Sequence, residues 1–299
     1  MPLNEETTAD LFVTAFAAAA VVALYLLRVH RLDALHAAPN RRMNWGLLVA
    51  AATVGLYITA MLASAIAVGV AARFIAESFD IVDISADNPR SAAALLAVVL
   101  ITQLAVGGTL SAMLLVLVAR RAQGFTRIGL AGPRALHGLW IGLALLPLAF
   151  PLVSATSIVT SALLNLVGIP TPELGHILLE AMTVATPPVR LGFILSAVVI
   201  APVTEELIFR GLLQTALLNA FTRKHTPTPA HRLAAIALTT ALFTVIHLDA
   251  AALHTLPGLA ILSVIIGYTY ERTGSLTAAI VLHAAFNAAN VALALAHYG

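Results

Sequence analysis

Long apolar blocks restrict what this chain can fold into more than any other feature. They fall at approximately 11–27, 46–72, 92–118, 136–166, 190–220, 233–248, 256–271 and 276–296. A run of ~18 or more apolar residues reaches across the hydrocarbon core as a helix, and in lipid a helix satisfies its backbone polar groups internally. Soluble domains carry roughly 25% charged residues. Here 10% are charged and 60% hydrophobic, which is too little charge to cover a water-exposed surface. The expected fold is all-α: a polytopic membrane protein with about eight transmembrane helices. No internal repeat or linker divides it, so 1–299 is read as a single membrane domain. The sixth and seventh blocks are short, which fits a thinned bilayer, a tilted neighbour or partial re-entry. Pro147 and Pro151 predict a kink or break in the fourth.

The connections test the number of crossings, because Lys and Arg collect in short cytoplasmic loops. Arg28, Arg31, Arg41, Arg42, Arg120, Arg121, Arg127, Arg134, Arg223, Lys224, Arg232 and Arg272 all fall on one alternate side. Arg73, Arg90 and Arg190 fall on the other, while Glu77, Asp80, Asp83 and Asp87 cluster in one outer loop. Eight crossings put both termini outside, in a cell membrane. The acidic leader, with Glu5, Glu6 and Asp10, does not read as a signal peptide. Between Pro172 and Pro187, residues 173–186 predict either an ordinary outer loop or a short interfacial helix with Leu178, Leu179 and Met182 toward lipid.

Some classes of function drop out. The chain has no cysteine, which removes disulfides, thiolate catalysis and cysteine-ligated zinc. Its net charge of +2 comes without a basic patch interleaved with aromatics, so nucleic acid is not an expected partner. The lipid bilayer is an expected partner.

Chemistry concentrates where polar residues interrupt the late spans. Glu205, Glu206 and Arg210 lie mid-span in the fifth block, although each costs about 2.5–3.5 kcal/mol at a bilayer centre on insertion scales. Glu206 and Arg210 are i and i+4, hence on one helix face and able to pair. Glu205 sits about 100° around the helix, leaving it free to face a wet cavity as a base. His247 ends the sixth block, and His283 and Asn287, again i and i+4, share a face of the eighth. His30, His36, His137, His176, His225, His231, His254 and His297 fall in loops or near span ends and read as solvated. A carboxylate can take a proton from water, and imidazole or amide N–H groups can hold an oxyanion. Those groups suffice for peptide hydrolysis at an active site within the bilayer. No Gly-x-Ser-x-Gly elbow and no His-Glu-x-x-His signature is present. Zinc held by Glu and His stays open, but no cofactor is the expectation.

Glu-Glu-x-x-x-Arg at 205–210, Phe-x-x-x-His at 243–247 and His-x-x-x-Asn at 283–287, in this order on separate spans, resemble the CPBP family of intramembrane proteases, also called the CAAX prenyl protease type 2 or Abi family. Pro202 before the acids, Phe209 and Gly211 flanking the arginine, and Arg272-Thr-Gly-Ser-Leu before the last span agree with it. The resemblance covers roughly 190–296 and implies a catalytic core of helices five to eight. It implies that Glu205 activates water, that His283 and Asn287 hold the oxyanion, that His247 positions the water or the tetrahedral intermediate, and that Glu206 and Arg210 support the acid. It leaves open whether the substrate is a prenylated CAAX-type protein or another membrane-bound peptide. The alanine-rich, lysine-poor composition suggests a prokaryotic plasma membrane. Two other readings compete. An ion- or proton-coupled transporter would also place acids mid-membrane, but usually with paired repeats. A non-catalytic immunity or scaffold protein would keep its phenotype in Glu205→Gln.

Overall fold

The computed structural model describes residues 35, 38, 46–78, 89–121, 124–172, 174–222 and 225–298. Its elements are helices α1 (Leu47–Ser78), α2 (Pro89–Arg121), α3 (Pro133–Leu166), the short α4 (Ile177–Val184), α5 (187–221), α6 (Pro229–Val245), α7 (Leu256–Thr273) and α8 (Leu276–Tyr298). Six of these helices are long and apolar enough to cross a membrane, namely α1, α2, α3, α5, α7 and α8. The seventeen residues of α6 stand at the lower end of a spanning length. The expected first span, 11–27, and most of the acidic loop at 77–87 lie outside the described residues. Among the described residues the architecture is an all-α membrane bundle.

Of the kink or break expected at Pro147 and Pro151, the break is not seen: α3 is one helix through both prolines. Transmembrane helices tolerate proline where neighbours re-satisfy the freed backbone groups, and α3 is the helix most extensively packed against α8. Its approach is set by small residues. A Cβ on Gly142 would come within 2.8 Å of the Ala278 carbonyl oxygen, and one on Gly138 would overlap Ser275. Close backbone contact of this kind replaces the hydrophobic driving force that lipid removes.

One end of the bundle is closed by the turn before α3. There the amides of Leu276 and Thr277 donate to the Ile128 and Gly129 carbonyls, and Ile128 and Leu276 are buried. Gly129 takes a φ of +71°, a conformation that glycine adopts without penalty. At the opposite end the segment before α4 docks on the α6–α7 connection. Ala252 N–H donates to the Gly175 carbonyl and Ile177 N–H to that of Ala250.

Helix α4 forms, but its expected orientation toward lipid is corrected. Met182 is fully buried, and Leu178 and Leu179 pack into a cluster with Leu100, Phe193 and Val291. Ile177 and Val184 are the exposed side chains instead. A segment tethered by backbone pairing presents its apolar face to the protein, where it finds shaped partners.

Candidate active site

Helix α5 is not a uniform helix. Two π-helical stretches, Ser196–Ile200 and Leu207–Gln214, flank the α-helical turn Ala201–Glu206. A π-turn widens the helix and leaves backbone groups to be satisfied from outside. Here Asn287 Nδ2 donates to the Ala197 carbonyl at 2.8 Å, and Thr215 Oγ1 to the Arg210 carbonyl at 3.0 Å. The acid pair therefore sits on a short rigid turn between two widened segments. Thr204 anchors that turn to α2 through a hydrogen bond with Ser111.

The two carboxylates have different surroundings. Glu206 is fully buried. Its Oε1 accepts from Arg210 Nη1 at 3.0 Å and lies 2.8 Å from His283 Nδ1. Arg210, equally buried, spends its other terminal nitrogen on the Ser263 carbonyl (3.0 Å) and hydroxyl (2.8 Å), and its guanidinium carbon stands 4.9 Å from the Phe243 ring centroid. Charge, hydrogen bonds and an aromatic face thus offset the desolvation of this ion pair.

Glu205 has no such clamp. Its Oε2 is 3.9 Å from His247 Nε2 and 3.9 Å from His283 Nε2. Both distances are too long for a hydrogen bond, and both suit a bridging water. Glu205 keeps 8% of its surface exposed. The Tyr57 hydroxyl of α1 lies near enough to Glu205 to interact with it electrostatically.

Each imidazole is oriented through its other nitrogen. His247 Nδ1 lies 2.7 Å from the Phe243 carbonyl, which can only accept. His283 Nδ1 lies against the Glu206 carboxylate. In both rings Nδ1 must be the donor, so both Nε2 atoms face Glu205. His247 is not on a helix, as its expected place in the sixth span implied. It follows α6 in a turn tightened by donation from its own N–H to the Thr244 carbonyl.

The structure therefore gathers Glu205, Glu206, Arg210, His247 and His283 into one connected group. Asn287 reaches the same helix about two turns from Glu205, at the Ala197 carbonyl, which takes one of its two amide N–H bonds.

Several neighbours escape a reading of sequence. Tyr57 is one of several hydroxyl residues in α1, with Thr53, Thr59 and Ser64, and Ser263 is a single serine in α7, so neither carries a spacing signal. His176 and His254 are not solvated as expected. His176 caps α4 by accepting from Leu178 N–H at 3.1 Å, and its pKa is lowered to about 4. Desolvation is the main cause, followed by the neighbouring His247, with Asp249 opposing. His254 is buried beside Gly175.

No group of three His, Asp or Glu among the described residues is arranged to hold a metal ion. Residues 187–289 match the sequence model of the Rce1-like family, type II CAAX prenyl endopeptidase Rce1-like proteins. No curated protein and no solved structure matches the chain.

Proposed function

Starting from a chain whose residues 187–289 match the Rce1-like family, we propose that it is an intramembrane endopeptidase that hydrolyses a peptide bond with a Glu205-activated water. One observation carries the reading. A carboxylate without a strong partner faces two imidazole nitrogens at 3.9 Å, inside a helix bundle that otherwise neutralises its buried charge.

A water bridging Glu205 and an imidazole directs one hydrogen at each acceptor and leaves a lone pair for attack. Its proton passes to Glu205 as the oxygen bonds to the substrate carbonyl carbon, and the carbonyl electrons move onto oxygen. The free N–H of Asn287 and a protonated His283 Nε2 would hold that oxyanion. The Glu206 carboxylate against Nδ1 fixes the orientation of the ring, as a carboxylate does for a catalytic imidazole. Collapse breaks the C–N bond, and Glu205 returns its proton to the leaving amine. His247, turned by the Phe243 carbonyl, would position the water. Arg210 acts through Glu206 and is a positioning residue.

The test is a cleavage assay on a panel of membrane-tethered peptides, prenylated and not, using purified wild type and Glu205→Gln. Wild type is expected to cleave at least one peptide and Glu205→Gln at least 10²-fold more slowly, the lower end of a general base's contribution. A chelator is expected to leave the rate within twofold. Ion flux in liposomes without cleavage of any peptide would turn the reading toward transport.

A further inference from the structure

Helices α6 and α7 are shorter than their neighbours, and the shortfall is on one side. Where α7 begins, Gly258 packs against Val153 and Ser157 of α3. Helix α3 continues past Ser157 to Leu166, about 13 Å at 1.5 Å per residue. The α6–α7 connection therefore lies in a depression on the face where α3 ends. A groove of about 390 Å³ occupies it, lined by Thr160, Leu164, Thr244, Leu253, Leu256 and Pro257. Thr244 is three residues from His247, and its carbonyl accepts the His247 N–H.

The acids lie directly beneath. Arg210 bonds to Ser263 and Gln214 to Gly267, so α5 and α7 run in register. His247, within the connection, holds its Nε2 3.9 Å from Glu205, so the acid pair lies just below that face. From Ser263 the opposite face is about 15 Å away along α7, and that route is filled. Gln214 donates to the Gly267 carbonyl and to Glu271, and Glu271 pairs with Arg232. All three of these polar side chains are buried, as are Ile128, Ser275 and Leu276 at the closed end.

The closed end carries the charge. The described residues at that end include Arg120, Arg127, Arg134 and Arg272, whereas the depressed face carries Glu180 and Asp249 and one cation, Arg190, at the start of α5. The positive-inside rule makes the closed end cytoplasmic.

Resting on the hydrolase reading above, we infer that the acid pair is reached from the extracytoplasmic face. Its substrate is then a polypeptide presented at the outer leaflet rather than a prenylated C-terminus in the cytoplasm. A cytoplasmic substrate would have to displace the Gln214–Glu271–Arg232 plug to reach Glu205.

The absence of cysteine in the chain allows a test without turnover. Single variants Asp249→Cys and Ile169→Cys on the depressed face, Thr226→Cys on the closed face and Tyr57→Cys beside Glu205 are exposed in sealed right-side-out and inside-out vesicles to a small membrane-impermeant thiol reagent. Asp249→Cys, Ile169→Cys and Tyr57→Cys are expected to react at least tenfold faster in right-side-out vesicles, and Thr226→Cys at least tenfold faster in inside-out ones. The reverse pattern at the loops, or Tyr57→Cys reacting with the Thr226→Cys preference, overturns the inference. Should Tyr57→Cys not fold, Leu253→Cys at the groove replaces it.

A second arm adds a quenched peptide carrying one acyl chain to the outside of each vesicle type. Cleavage is expected to be at least tenfold faster in right-side-out vesicles, and faster cleavage in inside-out vesicles overturns the inference. No cleavage in either vesicle or in detergent refutes the hydrolase reading instead, while the labelling arm still decides the side of access.

Discussion

Exchanging the two adjacent acids for glutamine, one at a time, should separate a structural carboxylate from a chemical one. In Glu206→Gln the buried Arg210 guanidinium loses its counter-charge and keeps only the Ser263 carbonyl and hydroxyl and the Phe243 face. His283 loses the carboxylate that holds its Nδ1. Breaking a buried ion pair by removing one charge costs about 3–5 kcal/mol. The glutamine oxygen can still accept one hydrogen bond, so the expected loss is about 3 kcal/mol. In Glu205→Gln no charged partner lies closer than 3.9 Å, and the change in stability should stay within about 1 kcal/mol, the range of a weak, partly exposed pair. Activity should fall in both, by at least 10²-fold in Glu205→Gln. The assay pairs denaturant unfolding in a fixed detergent with peptide cleavage. Equal losses of stability in the two variants would refute the division of labour, as would a Glu205→Gln enzyme retaining a tenth of wild-type activity.

Asn287→Ala should lower kcat by about 10²-fold or more if its free N–H holds the oxyanion, while orphaning the Ala197 carbonyl costs about 1–2 kcal/mol of stability. Loss of stability with kcat within fivefold of wild type would leave Asn287 as a cap for the π-turn only. Arg232→Met strips Glu271 of its buried partner and should destabilise by about 3–5 kcal/mol without changing KM for a peptide added from the extracytoplasmic side. A raised KM would place the plug in the substrate path. His176 has its pKa lowered to about 4, so the unfolded chain binds its proton first as pH falls. Stability from the neutral ring is therefore full above about pH 6.5 and is lost as pH falls from 6.5 toward 4. The melting temperature should drop over that window in wild type and less in His176→Asn, which can still cap α4. Equal drops would mean that His176 does not titrate there.

What the sequence determined by itself was everything that follows from burial in lipid and from helical spacing. Apolar blocks longer than ~18 residues have few alternatives to spanning, so α1, α2, α3, α5, α7 and α8 were legible within a few residues. Charges inside those blocks are costly enough to flag themselves. The i and i+4 spacing marked Glu206 with Arg210 as a pair before any coordinates. Tertiary structure decided what depends on contacts between distant segments. It put Glu205 opposite two imidazoles, placed Tyr57 and Ser263 beside the acids, and moved His247 off its helix into a turn. It also turned α4 inward and tied His176 to its N-terminus. The π-turns on either side of the acid pair are equally invisible in a sequence, because the first is satisfied by Asn287 from α8 and the second by Thr215, five residues on in the same helix. Local energetics choose the helices; only packing chooses which face of each one becomes the site and which side of the membrane it opens to.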